Sequence, residues 1–171
     1  MKTLLIMRHA KSAYPPGISD DFDRPLNKRG RADLPLIAHL LATHGPRPDL
    51  VLASAAHRAQ QTATGLAAAL GLRPSALHLD DALYLASPST LAQAAADLPD
   101  SAQTSLIIAH NPGLEAWIGA LTGAHIALPT AGLAAVELGI HAWAEISRGR
   151  LLYFVVPRLV KAVLPPDHQL G

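Results

Sequence analysis

Leu4-Leu5-Ile6-Met7 is an unbroken apolar run of strand length that ends abruptly in Arg8-His9. A short continuous apolar run of this kind predicts a buried central strand of an α/β sheet. Asp49–Ser54 predicts a second buried strand, ending in a small polar residue. Ser105-Leu106-Ile107-Ile108-Ala109 predicts another, running into His110. Leu77-His78-Leu79 is a shorter candidate. Gly132–Leu138 and Leu151–Val156 are the last two strands, and the turn-rich stretch around Trp143–Gly149 permits them to pair as an antiparallel hairpin.

Between these runs the apolar spacing becomes helical. Asn27 is a predicted N-cap for a helix to about Thr43, with Leu34, Ile37, Ala38 and Leu41 on one face. Pro35 is expected to bend it, and His44-Gly45-Pro46 to end it. A second helix opens within Ala55–Ala63 and runs to about Leu70, where Gly71 stops it. A third starts at Ser87-Pro88, since proline is well tolerated at a first helical position. A fourth carries Leu114, Trp117, Ile118 and Leu121, and Pro157–Lys161 begins a short fifth. Lys11–Arg24, rich in proline, glycine and aspartate, reads as a loop over the end of the first strand. Residues from about 162 to 171, with Pro165-Pro166, are expected to form a loose tail. The alternation predicts an α/β fold: a three-layer α/β/α sandwich on a mostly parallel central sheet. Neither a repeat nor a linker divides the 171 residues, so a single domain is expected.

Half of the residues are hydrophobic but only 4% are aromatic, so the core must be built of Ala, Leu, Val and Ile. The net charge is +1 and no Lys/Arg cluster is long enough for a nucleic-acid footprint. The absence of cysteine excludes disulfides and thiolate chemistry and fits a reducing compartment. The N-terminal apolar run is too short for an export signal, and no segment has the length to cross a bilayer. A cytoplasmic protein with no nucleic-acid or membrane partner is expected. Of the nine histidines, His39, His44, His57, His78, His125, His141 and His168 lack companions with metal-ligand spacing, so no metal and no cofactor is expected.

Two predicted strands run into histidine, and a third is followed by Arg58 at the start of the next helix. In parallel neighbours these ends share one rim, where open α/β sheets bind ligands. Arg8, His9, Arg58 and His110 would then meet in one crevice. Two guanidinium forks suit phosphate oxygens. Two imidazoles offer a nucleophile and a further donor, and the helix start after His110 adds positive potential. Taken alone, Arg8-His9 reads equally as a strand that stops in solvent.

The ordered set Met7-Arg8-His9-Ala10-Lys11-Ser12, Asp23-Arg24-Pro25-Leu26, Ser54 through Arg58 to Thr62, Leu83-Tyr84-Leu85-Ala86-Ser87, His110-Asn111-Pro112-Gly113-Leu114-Glu115 and Pro129-Thr130-Ala131-Gly132 spans most of the chain. It resembles the histidine phosphatase superfamily, with its phosphoglycerate-mutase-like fold, and within it the small phosphohistidine phosphatases of the SixA type, which lack a large lid. The resemblance implies that His9 attacks phosphorus and becomes a phosphohistidine, that Arg8 and Arg58 clamp the phosphoryl oxygens, and that His110 also contacts them. It points to Ser12 and Lys11, and to the backbone at Thr130 and Ala131, as further substrate contacts. Many superfamily members carry an acid that protonates an alkoxide leaving group. Here Asp21 and Asp81 are the candidates, and both read equally as solvated loop acids. Without a strong acid, a phosphoramidate suits the site, because an imidazole leaves more readily than an alkoxide. The implied substrate is therefore a phosphorylated protein, a histidine phosphotransfer domain or phosphocarrier. A broad small-molecule phosphomonoesterase and a non-catalytic phosphate-binding module are the alternatives. The resemblance implies a monomer.

Overall fold

The computed structural model describes residues 1–164. Its six strands are β1 (Lys2–Arg8), β2 (Leu50–Ser54), β3 (Leu77–Asp80), β4 (Thr104–Ala109), β5 (Leu133–Leu138) and β6 (Arg150–Val155). They form one sheet in the order β3-β2-β4-β1-β5-β6. The first four in that order are mutually parallel. β5 runs antiparallel to both β1 and β6, completing the expected hairpin. In register, Arg8 stands beside Ala109, and Ala53 beside Ile108. The carboxyl ends of β1, β4 and β2 are thus level on one rim.

Helices cover both faces. In β1, Leu4 and Ile6 enter the core beneath α3 (Pro88–Ala96) and α4 (Gly113–Thr122). Leu5 and Met7 enter the core beneath α1 (Lys28–Thr43), α2 (His57–Ala69) and α5 (Pro157–Val163). All four are fully buried. Side chains alternate across a strand, so a two-sided sheet requires an unbroken apolar run, and this is why β1 lacks polar alternation. Each such side chain contributes about 1.5–3 kcal/mol on burial.

Local chemistry sets the helix ends. The Asn27 side chain accepts the Gly30 N–H at 2.8 Å and caps α1, whose face of Leu34, Ile37, Ala38 and Leu41 is buried as expected. α1 continues past Pro35 to Thr43. Ser87 caps α3 through the Thr90 N–H. Gly71, just past α2, has φ +62, which glycine adopts without steric cost. α2 starts two residues later than the earliest expected position, because Ala55 and Ala56 belong to a turn held by Ser54 Oγ. The expected loop Asp80–Ser87 contains a 3-10 turn, Asp81–Leu83, capped by the Asp80 side chain on the Ala82 N–H. α5 reaches Val163, so the start of the expected tail is helical; residues 165–171 lie outside the described residues. Among the described residues, no helix is long and apolar enough to cross a membrane.

Candidate active site

The rim formed by β1, β2 and β4 carries the charged residues. Past the end of β1, the His9 N–H donates to the Ala109 carbonyl at 3.2 Å, keeping the chain against β4. The Ala10 N–H donates to Thr62 Oγ1 at 3.0 Å, and the Thr62 hydroxyl donates to the Arg58 carbonyl at 2.6 Å. One threonine of α2 thus ties the His9 segment to the turn that presents Arg58. The Ala131 N–H donates to the carbonyls of both Arg8 and His9, each at 3.1 Å. Ala131 does this with φ +58, a left-handed conformation uncommon for a residue with a Cβ.

His9 is 7% exposed. Its Nδ1 lies 2.8 Å from the Ala10 carbonyl oxygen, which can only accept, so Nδ1 carries the proton and the lone pair resides on Nε2. That lone pair accepts from Arg58 Nε at 3.2 Å. Burial, with the charges of Arg58, Arg8 and Arg24, pushes the His9 pKa down to about 4, against the opposing bond to Ala10. The ring is neutral at pH 7 and its nucleophilic nitrogen faces a cation.

His110 follows β4 with its ring centroid 5.1 Å from that of His9. Its Nδ1 accepts from Arg58 Nη2 at 3.3 Å, because guanidinium nitrogens only donate. The other nitrogen, Nε2, therefore donates to Ser54 Oγ at 2.9 Å. Burial, then the proximity of His9 and Arg58, pushes its pKa down to about 3, with Asp21 opposing.

Arg8 donates through Nη1 to the Leu128 carbonyl at 3.2 Å, while its Nε is buried without a partner. An orphaned N–H on a cation is costly in a dry site and suits a position where an anion docks. The Leu128 carbonyl also accepts from Asn111 Nδ2 at 2.9 Å, and Glu115 Oε1 accepts from Asn111 Nδ2 and the Leu128 N–H at 2.8 and 2.7 Å. Burial lowers the Arg8 pKa, the Glu115 charge opposes this, and Arg58 adds to it.

Arg8, His9, Arg58 and His110 are therefore brought together as expected. Asp21 joins them. Its Oδ2 accepts from Arg58 Nη2 and the Tyr84 hydroxyl, both at 2.8 Å, and its Oδ1 from Arg24 Nη1 at 2.9 Å and the Tyr14 hydroxyl at 3.1 Å. Burial pushes its carboxyl up, but the bonds from Arg24 and Tyr84, the Arg58 charge and the Tyr14 bond prevail and hold it well below the usual carboxylate range. Asp21 is thus ionised in this state, the reverse of what a general acid needs. Asp81 is exposed on the 3-10 turn, where its carbonyl accepts the Tyr84 N–H at 3.1 Å. Ser12 is buried, and its Oγ accepts from Arg24 Nη2 at 2.8 Å, placing it in the ring around Asp21. Lys11 is exposed, and its backbone carbonyl accepts the Asn27 N–H at 2.9 Å. The Ala131 N–H is engaged by the carbonyls of Arg8 and His9, so it shapes the loop that carries His9. Thr130, beside it, is half-buried.

The sequence pattern assigns no site role to Tyr14, Arg24, Ser54, Tyr84, Asn111 or Glu115. Arg24, Ser54, Tyr84, Asn111 and Glu115 all lie within the motif segments, which is the signal that points to them. Among the described residues, no group of three or more His, Asp or Glu is arranged to hold a metal ion.

The model of the histidine phosphatase superfamily (branch 1) matches residues 4–84. An uncharacterised protein of Mycobacterium tuberculosis is 36% identical over 165 residues, covering 89% of this chain and 100% of that one. The chain belongs to the histidine phosphatase superfamily. A solved structure of a candidate phosphohistidine phosphatase SixA from Agrobacterium tumefaciens is 32% identical, with a TM-score of 0.77, covering 91% of this chain and 98% of that one. A second candidate SixA, from Nakamurella multipartitia, is 26% identical with a TM-score of 0.80, covering 91% and 96%. The superfamily match over residues 4–84 takes in His9, Asp21, Arg58 and Tyr84.

Proposed function

We propose that the protein is a phosphatase that hydrolyses phosphohistidine on a protein substrate through a covalent phosphohistidine on His9. The observation that carries this reading is the His9 ring, neutral and fixed in one tautomer, with Nε2 turned towards Arg58 and the His110 ring 5.1 Å away. Nε2 attacks phosphorus and forms a P–N bond while the P–N bond to the substrate imidazole breaks. The released imidazole nitrogen takes a proton from solvent water. Water then attacks the phosphoryl group, restoring His9 and giving inorganic phosphate. Arg8, through its unpartnered Nε, and Arg58 neutralise the three equatorial oxygens. His110, neutral in the empty site, gains a proton as a dianion enters, because that charge opposes the burial that keeps the ring neutral.

The preference for a phosphoramidate rests on the state of Asp21. An alkoxide needs a proton as it departs, and a carboxylate kept ionised by Arg24 and Tyr14 on Oδ1, whether or not Arg58 holds Oδ2, supplies none. Similarity to two candidate SixA proteins supports the same substrate class. The partner in this reading is a phosphorylated histidine phosphotransfer domain or phosphocarrier, the chain acts as a monomer in one domain, and it works in the cytoplasm.

The test compares kcat/KM for a phosphohistidine protein, p-nitrophenyl phosphate and a set of sugar phosphates. The reading expects the phosphohistidine protein to be preferred by at least about tenfold, a difference of about 1.4 kcal/mol in transition-state binding. A preference for sugar phosphates would make it a small-molecule phosphomonoesterase. Tight phosphate binding without turnover would make it a binding module.

A further inference from the structure

Arg58 has no terminal nitrogen uncommitted. Nη1 donates to the Asp21 carbonyl at 2.5 Å, Nη2 donates to Asp21 Oδ2 at 2.8 Å and to His110 Nδ1, and Nε covers the lone pair of His9. The guanidinium side chain is 4% exposed and that of Asp21 is 36% exposed. A buried arginine is therefore neutralised by a carboxylate at the mouth of the crevice. A phosphoryl group held by Arg58 and reached by His9 Nε2 needs donors that Asp21 now occupies.

We propose that Asp21 is a tethered competitor for the phosphoryl position and sets the charge an anion must carry to enter. This rests on the phosphoryl-binding reading of the site and adds a specificity-determining residue to it. The carboxylate is one negative charge, already held without loss of translational freedom. A dianion brings twice the charge to Arg8, Arg58 and the two imidazoles and displaces it. A monoanion, such as a phosphodiester, offers no electrostatic gain over Asp21 and is refused. The loop can yield: Gly17 has φ +90 with open space around it, and Pro16, Gly17, Ser19 and Asp20 are exposed. Arg24 and Tyr14 hold Oδ1 from the loop itself, and Arg24, stacked on the Tyr14 ring at 3.9 Å, is anchored to Ser12 Oγ at 2.8 Å, so Oδ1 keeps these donors when Oδ2 turns off Arg58. Tyr84 holds it from the body of the protein.

The apparent dissociation constant equals the intrinsic one divided by the fraction of molecules with the donors free. Calorimetric titration with inorganic phosphate at pH 8, and with dimethyl phosphate, is made on the wild type, Asp21→Asn and Tyr84→Phe. Asp21→Asn is expected to bind phosphate about tenfold tighter or better, and to gain measurable binding of dimethyl phosphate that the wild type lacks. Tyr84→Phe keeps the charge but removes a donor to it, so its gain in phosphate affinity is expected to be smaller, about two- to threefold. Phosphate binding by the wild type that is unchanged or weakened in both variants overturns the competitor and leaves the phosphoryl site standing. Absence of phosphate binding in all three proteins overturns the phosphoryl site itself, and the competitor with it.

Discussion

At the level of single residues, the site is defined by what each polar atom already touches. His9 is the clearest case, since a backbone carbonyl on one nitrogen and a cation on the other leave it no choice of tautomer. Nitrogen NMR at pH 7 is expected to show a protonated Nδ1 and an unprotonated Nε2, with titration near pH 4. The free enzyme's kcat/KM should accordingly hold down to about pH 4 on this ring's account and fall below it, because protonation removes the nucleophile. An acid limb centred near the ordinary histidine value would contradict the buried, cation-facing setting. The same shifts act on folding. Both histidines resist protonation when folded, whereas the unfolded chain takes up protons as pH falls through about 6.5. Stability is therefore full above that value and is lost as pH falls towards 4, at up to about 1.4 kcal/mol per pH unit for each ring. Urea unfolding of the wild type and His9→Gln across that window should show a shallower loss in the variant. Arg8, His9, Arg58 and His110 were legible as a set because parallel strand ends share one rim and the ordered motif segments carry all four, whereas Arg8-His9 alone reads equally as a strand ending in solvent. Asp21 was legible only as one loop acid among several, because two of its four side-chain donors, Arg58 and Tyr84, come from distant parts of the chain. Ala131 was not legible: its contribution is a backbone N–H and a positive φ, which a methyl side chain does not announce.

At the level of elements, close backbone contacts set where the loops lie. A Cβ on Gly30, in the first turn of α1, would stand 2.1 Å from the Lys11 carbonyl oxygen. That carbonyl also accepts the Asn27 N–H, so the helix start is pressed against the segment just past His9. A Cβ on Gly113, at the start of α4, would stand 2.0 Å from the Ala86 carbonyl oxygen. Backbone cannot yield as a flexible side chain does, so Gly30→Ala and Gly113→Ala are each expected to cost about 1–3 kcal/mol in denaturant unfolding. Gly30→Ala should also lower kcat, because relief of the clash moves the strand–loop junction that carries His9, the proposed nucleophile. Unchanged stability in both would show that these approaches do not constrain the loops. The helices and strands themselves were readable from apolar spacing and caps. The 3-10 turn Asp81–Leu83 escaped because three residues are too few to show a period.

Across the whole molecule, the sheet is what makes the four residues one site. The strand order places β4 between β2 and β1, so residues 8, 9, 58 and 110 converge although they come from three distant stretches of the chain. Parallel pairing needs covered faces, and both are covered by the two apolar clusters. Ile107→Ala on the central strand is expected to cost about 2–5 kcal/mol through lost burial and a residual cavity, read by thermal or denaturant unfolding. The folded fraction should still bind phosphate, since that side chain points away from the crevice into the α3–α4 core. The α/β class and the level strand ends followed from sequence because apolar runs alternate with helical spacing. The order of the strands did not, since no local pattern encodes which parallel neighbour a strand selects. The measurement that bears most directly on the mechanism is mass mapping of the enzyme after rapid quenching at neutral pH with a phosphohistidine protein. The expected result is an acid-labile phosphate on His9 that is absent from His9→Ala. Phosphate on another residue, or full turnover by His9→Ala, would contradict it.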